Sequence, residues 1–266
     1  MTADTGAGML EPQTLAFYQQ TLTTLEQSSI PFMVGGAYAF SVYTGIERHT
    51  KDFDIFVQQQ DAERTLGVLG EQGCMTELTF PHWLGKAFCG SDFIDVIFSS
   101  GNGLMQVDAE WFDHAVDGEV FGHTVKLVPA EEMIWTKSLI MERERYDGAD
   151  VAHILRARGT QIDWRHLVNC FGTHWRVLLS HLILFNFIYP SEREQIPAWV
   201  LDELLNWLAQ DRATPPDEKI CQGTLISRQQ YLIDVTRWGY RDARRDADVA
   251  MSPDDIAHWT AAIDTE

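Results

Sequence analysis

The segment PFMVGGAYAFSVYTGIERHTKDFDIFV, from Pro31 to Val57, constrains this chain more than any other part of it. Phe32, Met33 and Val34 form a short apolar run suited to a buried strand, and Gly35-Gly36 follows where the strand must turn sharply into a helix. Glycine removes the Cβ penalty at such a turn and lets an anion approach the orphan N–H groups of the helix N-terminus. Thr44 and Gly45 mark the helix exit, and Asp52-Phe53-Asp54-Ile55-Phe56-Val57 opens a second strand. Side chains two apart on a strand share a face, so Asp52 and Asp54 point one way while Phe53 and Ile55 point to a core. Two carboxylates so placed can hold a hard divalent cation such as Mg2+, which prefers oxygen ligands beside substrate phosphates.

A third carboxylate is available in Asp92-Phe93-Ile94-Asp95-Val96-Ile97-Phe98, where Asp95 interrupts an apolar strand. An isolated buried carboxylate is costly, so Asp95 needs a partner. Beside the Asp52/Asp54 strand it completes a three-carboxylate cluster; the alternative is a structural acid paired with Lys86 or Arg48. A Gly-Gly pair or an Asp-x-Asp alone is most often an ordinary turn or a solvated strand start. Their joint order and strand contexts favour a site.

Gly-Gly, a gap of about sixteen positions, Thr50-x-Asp52-x-Asp54 and a later lone Asp95 together resemble the nucleotidyltransferase superfamily that includes DNA polymerase beta and the aminoglycoside nucleotidyltransferases. Arg48-x-Thr50-Lys51-Asp52-x-Asp54 is especially similar to a minimal bacterial branch that includes abortive-infection toxin nucleotidyltransferases. The turn departs from the superfamily's frequent Gly-Ser, so a serine contact to phosphate is missing. The resemblance covers roughly the first half of the chain. It implies an enzyme that moves an NMP from an NTP such as ATP onto a hydroxyl acceptor, with Mg2+ or Mn2+ as cofactor. Asp52, Asp54 and Asp95 are then metal ligands and catalytic groups, Gly35 and Gly36 cradle phosphates, and Arg48 and Thr50 belong to the nucleotide site.

The order Val128-Pro129, a glutamate, Lys137 and then Arg143, Arg145 and Asp147 resembles the helix after the catalytic sheet in the toxin-like branch, where the lysine touches nucleotide. Ile134, Lys137, Ile140 and Met141 share a face by helical spacing, so Lys137 leans to the core-facing side and can reach triphosphate oxygens from the flank. The competing reading is a solvated charged helix containing Arg143, Arg145, Asp147 and Asp150.

Leu15, Tyr18, Leu22 and Leu25 predict an amphipathic leading helix over 11–29. A helix over 61–72 and strands near 75–79, 83–89, 93–98 and 124–128 complete an α/β (α+β) mixed-sheet catalytic domain over residues 1–130. Residues 131–266 predict a helical C-terminal domain, with helices over 164–171, 175–189 and 198–208. In its last region Arg228, Arg237, Arg241, Arg244 and Arg245 mix with Tyr231, Trp238 and Tyr240, a mixture that can stack on and clamp an acceptor or pack on the catalytic domain while the arginines pair with the chain's excess acid; the second is expected.

That excess is large: 39 acidic against 20 basic residues, a net charge of −19. Such a surface repels phosphate backbones, which disfavours nucleic-acid partners while leaving a local basic groove for a tRNA end open. The acceptor is unknown from sequence, and a protein partner is a further candidate. The second function class is a non-catalytic nucleotide- or protein-binding module, for example one component of a toxin-antitoxin pair.

Neither a basic start nor an apolar stretch marks the N-terminus as a signal peptide, and the most apolar run, 177–190, is too short to span a bilayer. No membrane association and a cytoplasmic location are expected. Cys74, Cys89, Cys170 and Cys221 lack CxxC spacing and a histidine at zinc-ligand spacing, so reduced thiols are the natural reading, with a disulfide left open.

Overall fold

Alternation along one strand organises the sheet. In the computed structural model, which describes residues 10–48, 50, 52–211 and 218–262, the segment Asp52–Phe56 buries Phe53 and Ile55 and leaves Asp52, Asp54 and Phe56 partly accessible. The described residues fall into two compact units, one within Met1–Pro129 and Ala250–Trp259, the other within Ala130–Val249 and Thr260–Glu266.

The first unit runs α1 (Pro12–Gln27), β1 (Met33–Val34), α2 (Gly36–Thr44), β2 (Asp52–Phe56), α3 (Gln59–Glu71), β3 (Met75–Phe80), β4 (Leu84–Cys89), β5 (Asp92–Ile97), α4 (Ala109–His114), β6 (Val116–Val120) and β7 (His123–Leu127). Among the described residues these strands form one mixed seven-stranded sheet, ordered β3-β4-β5-β2-β1-β7-β6. β2 lies antiparallel to β1 and parallel to β5, while β3, β4 and β5 form an antiparallel set. The α3 crossover and the β3–β4 hairpin carry the chain from β2 out to the edge and back, which is how two acid-bearing strands become parallel neighbours.

The helices follow from their periodicity. α1 buries Tyr18, Thr21, Leu22 and Leu25, and α3 buries Ala62, Thr65, Leu66 and Leu69, each an i, i+3, i+4, i+7 stripe. Tyr18, Tyr38, Phe53 and Phe121 interlock beneath β2 with ring centroids 4.8 to 6.2 Å apart. Burial pushes the Tyr18 and Tyr38 phenols up, and nearby aspartates add to the shift, so both rings serve as neutral packing groups.

β6 has no counterpart in the sequence-based expectation. Val116-Asp117-Gly118-Glu119-Val120 carries two acids and a glycine, yet it pairs with β7 along its whole length as an edge strand. The Leu127 side chain occupies the space that a Cβ on Gly118 would need.

Cys74 and Cys89 form a disulfide, which corrects the expectation of four reduced thiols. They are 15 residues apart, but the β3–β4 hairpin pairs Met75 with Phe88 and brings their Cα atoms to 4.7 Å. Cys170 and Cys221 stand outside any disulfide.

In the second unit the chain continues as α5 (Ala130–Ser138), α6 (Gly148–Arg158), α7 (Trp164–Phe171), α8 (Trp175–Ile188) and α9 (Ala198–Asp211). β8 (Ile220–Cys221), α10 (Leu232–Thr236) and β9 (Arg241–Asp242) follow, with β8 and β9 pairing in parallel, and the last helix, α11 (Pro253–Ala261), falls mostly in the first unit. The helix after Pro129 stops at Ser138, so Ile140 and Met141 do not extend the Lys137 face. Long-range bonds override helical continuation there: the Glu142 carboxylate accepts from the Ser227 hydroxyl and the Arg228 backbone N–H, and Met141 N–H donates to Ile226 C=O.

Three of the late arginines do pair with acids: Arg228 with Glu142, Arg241 with Glu218 and Asp246, and the fully buried Arg244 with Asp242. No described helix is long and apolar enough to cross a membrane.

The aromatic layer sets a stability test. Phe53→Ala should cost about 3 to 5 kcal/mol through a cavity that the rigid rings cannot fill. Met75→Ala, at a side chain 69 % exposed on β3, should stay within about 0.5 kcal/mol. Urea denaturation of both variants gives the comparison, and equal losses would contradict the assignment of the core to this layer.

Candidate functional site

Register places the acids. β2 pairs with β5 so that Asp54 lies directly beside Asp95, Asp52 beside Phe93 and Ile55 beside Val96. β4 pairs with β5 so that Lys86 lies directly beside Asp95 on the other side. Because cross-strand partners share a face, Asp54, Asp95 and Lys86 form a row across three strands, with Asp52 one pleat along β2. Asp52, Asp54 and Asp95 each offer a carboxylate oxygen, and these oxygens lie within 4.8 Å of one another.

The Lys86 ammonium donates to Asp95 Oδ1 at 2.6 Å and sits 4.5 Å from the Phe93 ring centroid. Asp95 is thus both clustered with the other acids and paired with Lys86, while Arg48 instead lies over the Phe40 ring, 4.5 Å from its centroid. Burial pushes the Asp95 carboxyl above the usual range; the Lys86 hydrogen bond and charge oppose that, and the Asp52 charge reinforces it. The Thr50 hydroxyl donates to Asp52 Oδ1 and fixes that carboxylate from its own strand entry.

The two glycines are needed by the protein's own packing. The space beside Gly35 is filled by the Phe56 ring, and Gly35 N–H donates to Asp54 C=O at 3.0 Å. Gly36 has φ +54°, and a Cβ there would collide with the Asp54 carboxylate. The Gly-Gly turn therefore brings the start of α2 against the acid-bearing face of β2. Its glycines accommodate Phe56 and Asp54 whatever else they contact.

Lys137 lies in the second unit, where its ammonium donates to Asp150 at 2.7 Å and Asp147 at 3.2 Å. Arg145 also holds Asp147 through two hydrogen bonds of 3.1 Å. Asp150 is buried, and the Asp147 carboxyl is held below its usual range by Arg145 and Lys137 against the opposing effect of burial. The charged run after Pro129 is a tight ion-pair network at its Lys137, Asp147 and Asp150 positions. Arg143 is exposed, as the solvated reading expected.

Of the site residues expected from sequence, the structure brings Asp52, Asp54, Asp95, Thr50, Gly35 and Gly36 together around β2. Lys86 belongs to the same row and was expected only as one possible partner of Asp95. Its sequence signal is a single charge inside the apolar run Leu84-Gly85-Lys86-Ala87-Phe88.

No family model and no curated protein sequence matches this chain. Among solved structures it is similar to the antibiotic-resistance factor ANT(2″)-Ia, at 16% identity and a TM-score of 0.44, covering 65% of this chain and 98% of that one. It is similar to the lincomycin-bound lincosamide antibiotic adenylyltransferase LnuA, at 15% identity and a TM-score of 0.39, covering 55% of this chain and 96% of that one. An antigenic nucleotidyltransferase-like protein from Paracoccidioides brasiliensis matches at 16% identity and a TM-score of 0.34, covering 76% and 90%. These are distant likenesses.

The Lys86–Asp95 pair makes a pH-dependent prediction. With Lys86→Met in metal-free buffer, Asp95 keeps its burial and its Asp52 neighbour but loses both influences that lower its pKa. At pH 7 the variant should be about 1.5 to 3 kcal/mol less stable. The deficit exists only while folded Asp95 is ionised, so it should shrink on acidification and largely vanish by about pH 4. Denaturant titrations at both pH values measure it; a deficit of the same size at each would contradict the pairing.

Proposed function

We propose that the first unit is the catalytic body of a metal-dependent nucleotidyltransferase, which moves an NMP from an NTP onto a hydroxyl acceptor. The observation that carries this reading is the register pairing of Asp54 with Asp95, with Asp52 on the same face and the Gly35-Gly36 turn packed against Asp54. Three hard oxygen donors converging at this spacing fit Mg2+ or Mn2+. A divalent ion bound there supplies neutralisation of phosphate charge during in-line displacement at the α-phosphorus.

The chain's own groups have distinct tasks in this reading. Asp52 and Asp54 hold the cation, and the Thr50 hydroxyl keeps the Asp52 carboxylate in position. Asp95 is the third ligand and activates or positions the acceptor hydroxyl. Lys86 holds Asp95 Oδ1, which orients the carboxylate. The backbone from Gly35 and Gly36 opens α2, whose first N–H groups face the phosphates, and Arg48 lies on the nucleotide side. In this reading the first unit is the catalytic domain and the second a helical domain. The chain's charge of −19 favours a small-molecule or protein acceptor over a nucleic-acid strand.

One observation favours a second reading. Lys86 already neutralises Asp95 at 2.6 Å, as it would in a non-catalytic module that binds nucleotide or a protein partner without turnover.

The purified protein incubated with Mg2+, each labelled NTP and cell extract separates the two. Wild type should transfer label, and Asp52→Asn and Asp54→Asn should each lose at least about 100-fold in rate while remaining folded. Wild-type binding of NTP without turnover would support the binding module instead, and variants as active as wild type would sink the assignment.

Lys137→Ala is informative in the same series. A triphosphate contact predicts roughly tenfold weaker NTP binding with little loss of kcat. A lower melting temperature with unchanged NTP affinity would assign Lys137 to the Asp147/Asp150 network alone.

A further inference from the structure

A second cluster of donor atoms lies in the second unit, apart from the acids of the sheet. Glu132 projects from α5, while His166 and Cys170 stand one turn apart on α7, at the i, i+4 spacing that puts both on one face. One carboxylate oxygen, the imidazole nitrogen and the thiol sulfur all lie within 4.8 Å of one another. The His166–Cys170 pair corrects the expectation that no cysteine has a histidine at ligand spacing.

The local architecture fixes these elements. The Asp163 carboxylate caps α7 by accepting from Arg165 and His166 N–H groups, both at 3.0 Å. Asp163 N–H donates in turn to the carboxylate of Glu131, the residue before Glu132, at 2.7 Å. The first turn of α7 is thereby tied to the start of α5.

One imidazole nitrogen faces both of its neighbours in this cluster. His166 Nε2 lies 2.7 Å from Glu132 Oε1 and 3.5 Å from Cys170 Sγ. If Nε2 carries a proton it donates to the carboxylate and cannot also accept from the thiol. If it carries none it can accept from the thiol but cannot donate to the carboxylate. Glu132 is 1 % exposed, and its second oxygen, Oε2, is buried with no hydrogen-bond partner among the described residues. Burial also pushes the Glu132 carboxyl up, against the opposing His166 interaction.

A cation in place of the contested proton satisfies all three groups, because each then donates an electron pair to one centre. The mixture of carboxylate oxygen, imidazole nitrogen and thiolate sulfur suits Zn2+, whereas Mg2+ and Ca2+ take oxygen ligands. We infer that Glu132, His166 and Cys170 form a zinc site linking α5 to α7, with water as the fourth ligand. On binding, the Cys170 S–H bond breaks, the proton leaves to solvent and an S–Zn bond forms, so affinity rises with pH.

The test uses the full chain with its disulfide intact, treated with chelator and kept free of oxygen and reductant. Titration with Co2+ as a spectroscopic substitute should produce a thiolate-to-cobalt charge-transfer band in the near ultraviolet, which added Zn2+ abolishes. Cys170→Ser should lose the band and Glu132→Gln should bind at least about tenfold more weakly. Cys221→Ser and Asp54→Asn should retain the band. Should Cys170→Ser fail to fold, alkylation of the wild type read by peptide mapping serves instead: Zn2+ should slow modification of Cys170. A wild type that gives no band, a band that survives in folded Cys170→Ser, or alkylation of Cys170 unaffected by Zn2+ would each overturn the site.

Discussion

Repulsion among three carboxylates on one sheet face is the constraint around which the first unit is arranged. Asp54 and Asp95 are direct cross-strand neighbours, and Asp52 lies one pleat away. Like charges at such positions oppose strand pairing. The fold offsets them with one ammonium in the same row, Lys86, and with the Thr50 hydroxyl on Asp52. A cation bound at this face would relieve the repulsion further.

The opposite face of β2 makes this tolerable. Phe53 and Ile55 are completely buried, and the Tyr18, Tyr38 and Phe121 rings hold Phe53 from three sides. Aromatic pairs contribute about 0.5 to 1.5 kcal/mol each beyond their area burial. The same alternation that collects the acids therefore anchors the strand that carries them. Gly35 and Gly36 extend the arrangement to the turn: their missing side chains make room for Phe56 and for the Asp54 carboxylate.

Much of this was legible in the sequence because it depends on short periods. The shared face of Asp52 and Asp54 needs only strand alternation, and α1, α3, α7, α8 and α9 need only helical stripes. What depends on register was not legible: that Asp54 meets Asp95 follows from how β2 and β5 align, that Lys86 joins the row from how β4 and β5 align, and that Cys74 meets Cys89 from the β3–β4 hairpin. β6 escaped notice because Asp117, Gly118 and Glu119 lack strand propensity, and its pairing comes from β7. The helix after Pro129 seemed longer than it is because a local pattern could not reveal that Glu142 bonds Ser227 and Arg228, 85 and 86 residues away. His166 and Cys170 were readable as an i, i+4 pair, but the buried Glu132 that completes their cluster comes from a different helix.

In the reading proposed above, the Asp52, Asp54 and Asp95 face holds a divalent ion together with a nucleotide. Its most direct measurement is the uptake of Mn2+, read from the electron paramagnetic resonance signal of the free ion, with and without a non-hydrolysable NTP analogue. The wild type should bind Mn2+ more strongly with nucleotide, and a folded Asp54→Asn variant should lose that binding. Mn2+ that stays free with nucleotide present, or an Asp54→Asn protein that binds it as tightly as wild type, would rule out a metal site on this face.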